Sequence, residues 1–211
     1  MRGGPSQTPY LDLYIVHWPV AFEFTGIPFT KGLDRDEHGN IKFAKVSLQQ
    51  TWEAMEALVD AGLVKAIGVS NYPLITLLDL LTYARIRPAV NQIEVHPYWT
   101  REELVSECHR LGVRVVGYSC LGSGQAGPLQ DPAIQAIAQR HGKSPAQVII
   151  RWLVQRGIAA IPKSVHEERI RENFAVFDFA LTDEEVAAIN ALNRNQAFVD
   201  TRIYWQYAIT V

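Results

Sequence analysis

The chain has 211 residues, 48% of them apolar and 20% charged, enough to bury a sizeable core and unlike a disordered or fibrous composition. A net charge of −2 without an extended basic block argues against nucleic acid or an anionic membrane surface as a partner. Two cysteines, Cys108 and Cys120, are too few for a disulfide framework and lack metal-ligand spacing, so no metal is expected and a reducing cytoplasm fits. No segment reaches the roughly 20 apolar residues of a membrane span, the N-terminus has no signal-like apolar run, and a single domain over residues 1–211 is the expectation.

Residues 1–9 are Gly/Pro-rich and read as coil. Tyr10-Leu-Asp-Leu-Tyr-Ile-Val-His-Trp-Pro19 follows, a β-branched and aromatic run of the kind found in a parallel strand buried on both faces, closed by His17. Residues 20–46 are irregular, with Phe22, Phe24, Phe29 and an Asp36-Glu-His-Gly-Asn40 turn signal, and a loop of that length is usually functional or disordered. Ser47-Leu-Gln-Gln50 reads as a capping box opening a helix that Gly62 stops. Strand and helix then alternate. Strands are predicted at 66–69, 90–95, 113–118 and 158–161. Helices are predicted to open at Thr100-x-x-Glu103, Pro132, Ser144-Pro-Ala-Gln147 and Thr182-x-x-Glu185. Such βα units imply a parallel sheet with helices outside it.

Polar residues gather where the predicted strands end: His17-Trp18, Ser70-Asn71, Gln92 with Glu94 and His96, Tyr118-Ser119, and Lys163-Ser164. In a TIM barrel the C-terminal strand ends carry the site. The rival doubly wound sheet would show Gly-x-Gly-x-x-Gly after its first strand; none occurs, and Gly122-Ser-Gly-Gln-Ala-Gly127 has the wrong spacing. His96 and His109 read as structural histidines. The densest stretch is Ile158 to Phe174, a strand end feeding a helix start with Lys163, Ser164 and Arg169. Free backbone amides and two cations there suit an anion, most simply a phosphate.

Ile161-Pro-Lys-Ser-x-x-x-x-Arg-x-x-Glu-Asn173 resembles the adenosine 2'-phosphate site of the aldo-keto reductases. Leu-Asp-Leu-Tyr-x-x-His-Trp-Pro, Gly62-Leu-Val-Lys-Ala-Ile-Gly-Val-Ser-Asn71, Asn91-Gln-Ile-Glu-Val-His-Pro97 and Tyr118-Ser-x-Leu-Gly122 are similar to that family's motifs, in the same order, from about Tyr10 to Asn193. The resemblance implies an α/β fold, a TIM (β/α)8 barrel of aldo-keto reductase type represented by its strands 4 to 8. It also implies NADP(H) as cofactor and a small-molecule carbonyl substrate. By the same resemblance Ser70, Asn71 and Gln92 would bond the nicotinamide carboxamide, Tyr118 would stack on its ring, and Ser119, Leu121 and Ser123 would line the pyrophosphate. Ile161, Lys163, Ser164 and Arg169 would form the 2'-phosphate end, with Glu172 and Asn173 on the adenine. His17 matches the histidine that orients the substrate carbonyl, beside Trp18 in the substrate pocket, to which Phe22, Phe24 and Trp99 would add apolar surface. Cys120 departs from the family, which commonly has Pro there. The family's Asp-x-Ala-x-x-Tyr motif and strand-ending Lys do not occur, so three preceding βα units are expected to be missing from a truncated chain. Reduction of aldehydes and ketones is the expected activity, slow in this chain alone; a non-catalytic NADP(H)-binding module or an inactive fragment is the alternative. Open sheet edges at Tyr10 and Ile158 are expected to promote self-association.

Overall fold

The computed structural model describes residues 8–26, 34–123 and 127–202. Five strands, β1 (Leu11–Val16), β2 (Val64–Ser70), β3 (Val90–Glu94), β4 (Arg114–Tyr118) and β5 (Ile158–Ala160), form one sheet in sequence order. The β1–β2 and β4–β5 pairs run parallel. Among the described residues seven α-helices accompany them: α1 (Leu48–Asp60), α2 (Leu74–Tyr83), α3 (Glu102–Arg110), α4 (Pro132–His141), α5 (Pro145–Gln155), α6 (Glu167–Phe174) and α7 (Asp183–Asn190). The expected parallel α/β architecture is present. Residue contacts divide it into two compact units, residues 1–91 with 201–211 and residues 92–200.

In the first unit, Ser47 caps α1 as expected: its hydroxyl accepts from the Gln50 amide and the Gln50 side chain returns to the Ser47 amide, which satisfies two orphan donors at once. Gly62 ends the helix at φ +70°. Trp52, buried, donates its indole N–H to the Ile86 carbonyl at 3.0 Å. The Asp36 turn is also present, its Oδ1 accepting from the His38 and Asn40 amides at 2.9 and 2.8 Å. Two expectations fail here. β1 is not buried on both faces: Tyr10, Leu11, Leu13 and Tyr14 are all exposed, and β1 is an edge strand with β2 as its one neighbour in the sheet order. The strand also stops at Val16, leaving His17 just beyond it. Helix α2 was not anticipated. It starts after Pro73 with no side-chain cap, and its Leu-rich sequence carries no polar boundary signal. Phe29 lies outside the described residues.

In the second unit the Ser144–Gln147 and Thr182–Glu185 capping boxes open α5 and α7, and Asp131 caps α4. Trp152 is buried and donates its indole N–H to Asn190 Oδ1 at 2.8 Å, tying α5 to α7. Thr100 does not cap α3. Its amide donates to Asn193 Oδ1 and its carbonyl accepts from Arg156 Nη2, so the chain turns at Arg101, which takes a left-handed φ of +53°. Tertiary partners have outbid the local cap.

Candidate active site

In the first unit three of the expected site residues meet. Asn71 follows β2 at φ +61°, a left-handed conformation that asparagine tolerates better than most residues. Its Nδ2 donates to the His17 carbonyl at 2.9 Å and to Ser70 Oγ at 3.1 Å. Ser70 and Asn71 are buried, so the C-terminal ends of β1 and β2 are locked to each other by a satisfied amide. The His17 ring is left exposed, beside Trp18 at a centroid distance of 5.8 Å. Asn71 has spent both amide hydrogens on the protein. Phe22 stacks on Phe43 at 5.7 Å, while Phe24 is 79% exposed and lines no wall.

The same unit holds a Tyr, a Lys and an Asp in contact, at the wrong end. Lys65 Nζ bonds Asp12 Oδ1 at 2.9 Å and lies 3.8 Å from the Tyr10 ring centroid. These residues stand where β1 and β2 begin, opposite register partners Leu11 and Val64. His17 stands just past the end of β1, about 16–23 Å along the strand from Asp12 and Tyr10.

In the second unit, Gln92 lies on β3 and Tyr118 ends β4. Burial first, and the Glu94 charge second, push the Tyr118 hydroxyl well above the usual phenol range, so it offers a neutral aromatic face. Burial likewise holds the Arg101 guanidinium below its ordinary value. After Tyr118 the backbone turns tightly, with positive φ at Ser119, Gly122 and Ser123; Ser123 Oγ donates to Ser119 Oγ at 2.7 Å. Successive amides in such a turn form an anion-binding concavity. Cys120 points into the core, and burial pushes its thiol up to about 11, so the departure from proline leaves an inert, packed side chain. Residues 124–126 lie outside the described residues.

After β5, Ile161 donates its amide to the Gly117 carbonyl at 3.3 Å and keeps its side chain exposed. Ser164 Oγ accepts from the His166 amide at 3.1 Å. Helix α6 then carries Arg169, Glu172 and Asn173 at the i, i+3, i+4 spacing of one face. No side chain caps the start of α6, and Glu167 and Glu168 occupy its first turn, where their charges answer the helix dipole. Side-chain charge adds to what the uncapped amides offer an anion. Arg171 is paired with Glu167 at 2.7 Å, whereas Lys163 and Arg169 make no ion pair among the described residues.

Sequence reasoning missed the residue that holds α6 in place. No α6 residue is buried, and Gln147 of α5 donates Nε2 to the carbonyls of Glu172 at 3.2 Å and Ala175 at 2.8 Å. Its capping-box signal was visible; its second task was not, since the carbonyls it satisfies are more than 20 residues away. Trp99 is buried with Arg101 over its ring at 4.2 Å and belongs to the core. His96 is fully buried, as a structural histidine should be. A cavity of about 520 Å³ lined by His109, Arg114, Gln155 and Arg156 opens where β4 and β5 begin, away from the strand ends that carry these residues. Among the described residues no group of three or more His, Cys, Asp or Glu could hold a metal, and no helix is long and apolar enough to cross a membrane.

The family model for the aldo/keto reductase family matches residues 6–194. Aldose reductase C of Dictyostelium discoideum is 49% identical over 187 residues, covering 88% of this chain and 58% of its own length. Aldo-keto reductase family 1 member A1 of Mus musculus is 43% identical over 201 residues, covering 92% and 61%. The solved aldose reductase of Schistosoma japonicum superposes with a TM-score of 0.87 at 38% identity, over 96% of this chain and 65% of that one. The chain thus spans about three fifths of the length of its curated relatives, and its parallel strands and helices are those of an aldo-keto reductase-type barrel in part. A match over most of the sequence, agreeing with the backbone, leaves one conclusion: the chain belongs to the aldo/keto reductase family.

Proposed function

We propose that this chain binds NADP(H) and serves the reduction of a small aldehyde or ketone to an alcohol, in a reducing cytoplasm where its two buried free cysteines stay reduced. The observation that carries the reading is that Lys163 and Arg169, which make no ion pair among the described residues, flank the Ser164 turn beside the Glu172 and Asn173 face of α6. A ribose 2'-phosphate supplies the charge they lack, and the fit extends to the Ser119–Ser123 turn for the pyrophosphate. Ser70, Asn71 and Gln92 are assigned to the carboxamide, Tyr118 to the ring, and Leu121 and Ile161 to apolar contact along the cofactor. The bound cofactor would supply hydride to a carbonyl carbon. His17, exposed at the end of β1 with its backbone held by Asn71, donates a hydrogen bond to the carbonyl oxygen and orients it, with Trp18 as the adjoining apolar surface.

A second reading, an NADP(H)-binding module without turnover, draws on the position of Tyr10, Asp12 and Lys65. A phenol beside an ammonium is a plausible acid, yet this one sits at the opposite strand end from His17. Tyr72 and Tyr98 are no substitutes. Burial raises both hydroxyls above the usual range, and Tyr98 donates to Asp131 Oδ2 at 3.0 Å.

Cofactor titration by tryptophan fluorescence tests the binding reading. Each charge-assisted bond to the phosphate contributes about 1.5–3 kcal/mol, so NADPH is expected to bind at least about a hundredfold tighter than NADH. Arg169→Ala should cost more than Lys163→Ala, since the planar guanidinium fork bonds two phosphate oxygens in parallel where an ammonium acts as a point charge. Equal affinities for the two cofactors would remove the assignment. Loss of NADPH absorbance with a generic aldehyde separates the two readings: turnover that His17→Ala diminishes supports the reductase, and tight binding without turnover supports the module.

A further inference from the structure

The end of β3 holds a buried carboxylate that the proposed reaction does not use. Glu94 is 3% exposed. Its Oε1 accepts from the Phe198 amide at 2.6 Å and lies 3.1 Å from His96 Nε2, and its Oε2 accepts from the Val199 amide at 3.2 Å. A carboxylate removed from water is costly unless such bonds replace its hydration, and bonds to an ionised acceptor are the strong ones.

Both amides belong to residues 193–200, a strap without helix or strand, whose backbone donors must therefore find partners outside any ladder. They find them on the last residue of β3 and on the segment that follows it. Arg194 and Gln196 both donate their amides to the Tyr98 carbonyl at 3.1 Å. The Arg194 guanidinium lies 3.5 Å from the Tyr98 ring centroid, and the Phe198 ring lies 4.4 Å from that of His96. Of these anchors only Glu94 lies in the strand itself. Gln92, two residues earlier, shares its face of β3, and Tyr118 ends β4 within the reach of the Glu94 charge.

We propose that Glu94 is a positioning residue: it latches the 193–200 strap onto the end of β3 and so fixes the face on which Gln92 and Tyr118 receive the nicotinamide half of the cofactor. The coupling to cofactor rests on the NADP(H) reading above; the latch itself does not. Glu94→Gln keeps the shape but turns an –NH2 toward a backbone donor, and Val199→Pro deletes one of the two donors while leaving Glu94 intact.

Hydrogen exchange and ligand titration on the full chain test the proposal. In Glu94→Gln the Phe198 amide is expected to exchange at least about tenfold faster, with the α5 core amides of Ile149 to Leu153 unchanged. NADPH should bind at least about fivefold more weakly, while adenosine 2',5'-bisphosphate, which lacks the nicotinamide half, keeps its affinity within about twofold. Val199→Pro should act in the same direction, and decides the matter if Glu94→Gln does not fold. Unchanged strap exchange overturns the latch. Equal weakening of both ligands, or core exchange rising with the strap, reduces Glu94 to a structural residue and overturns the positioning role. A wild-type chain that binds neither ligand removes the NADP(H) reading and the coupling with it, while the exchange comparison still decides the latch.

Discussion

Gly68 shows how a single missing side chain shapes this fold. It sits in β2, and a Cβ built there would lie 2.6 Å from Val90 Cγ2 and 3.1 Å from the Val90 carbonyl oxygen. No real Cβ tolerates the first contact, and Val90 opens β3, so either the valine must change rotamer or the two strands must part. Gly68→Ala is expected to destabilise the protein by about 1–3 kcal/mol, the usual cost of overpacking a tight interior. The check is a lower urea midpoint with an unchanged slope. The same scale explains why the Ser70-Asn71 pair was readable as a motif: an asparagine at the strand end both accepts the left-handed turn and supplies the amide that reaches His17. Glu94 was legible as a polar residue at a strand end but its task was not, since its two backbone donors lie about a hundred positions further along the chain.

At the scale of elements, the helices opened by capping boxes were legible, α6 was read from the polar run after β5, α3 was expected with the wrong cap, and α2 was missed. α1, α5 and α7 each begin with a reciprocal box, whereas α2 begins after a proline and α3 at a left-handed arginine. The α7 box has a consequence for acid stability. Glu185 is 9% exposed at its side chain and bonds His141 Nε2 at 2.7 Å and Arg140 Nη2 at 2.9 Å, besides accepting from the Thr182 amide. Burial alone would raise its carboxyl, but the bonds from His141, Thr182 and Arg140 outweigh burial and hold it below its ordinary 4.5. A group lowered in the folded state contributes its stability above the unfolded value and loses it as pH falls through the folded one. Glu185→Gln is therefore expected to be less stable at neutral pH by about 1–3 kcal/mol. It should also lose less stability than the wild type as the pH drops below about 4.5. Thermal melts of both proteins across that range provide the measurement, and parallel curves would contradict it.

For the molecule as a whole, the notable feature is apolar surface left in water. β1 and β5 end the sheet order, so each has a strand neighbour on one side only. Tyr10, Leu11, Leu13 and Tyr14 are exposed along β1, and Ile170, Phe174 and Phe177 are exposed on and after α6, with Phe174 at 77%. Phe174 and Phe177 meet edge to face at 5.9 Å, a contact that covers neither. Strand edges and apolar helix faces of this kind pair with other chains when concentration allows. The protein is expected to self-associate, and light scattering should show an apparent mass rising with concentration. The double substitution Phe174→Lys and Phe177→Lys should lower that apparent mass at a given concentration without moving the melting temperature by more than a few degrees. A monodisperse monomer at high concentration would sink the expectation.

The sequence by itself determined the alternation of strand and helix, the capped helix starts, the family motifs at successive strand ends, and the candidate cofactor residues. These are local properties: alternation, capping and turn chemistry act over a few neighbouring residues, so a linear reading can see them. Tertiary structure decided that β1 is an edge strand and that a run that reads as doubly buried is left exposed along its first residues. It also decided that Thr100 spends its backbone on Asn193 and Arg156 instead of capping α3, and that Glu94, Gln147 and Glu185 close their hydrogen bonds onto distant segments. A polar side chain's partner in a fold is set by which segments the chain brings side by side. Spacing along the sequence carries no trace of that when the partners are backbone amides and carbonyls, which every residue but proline presents alike.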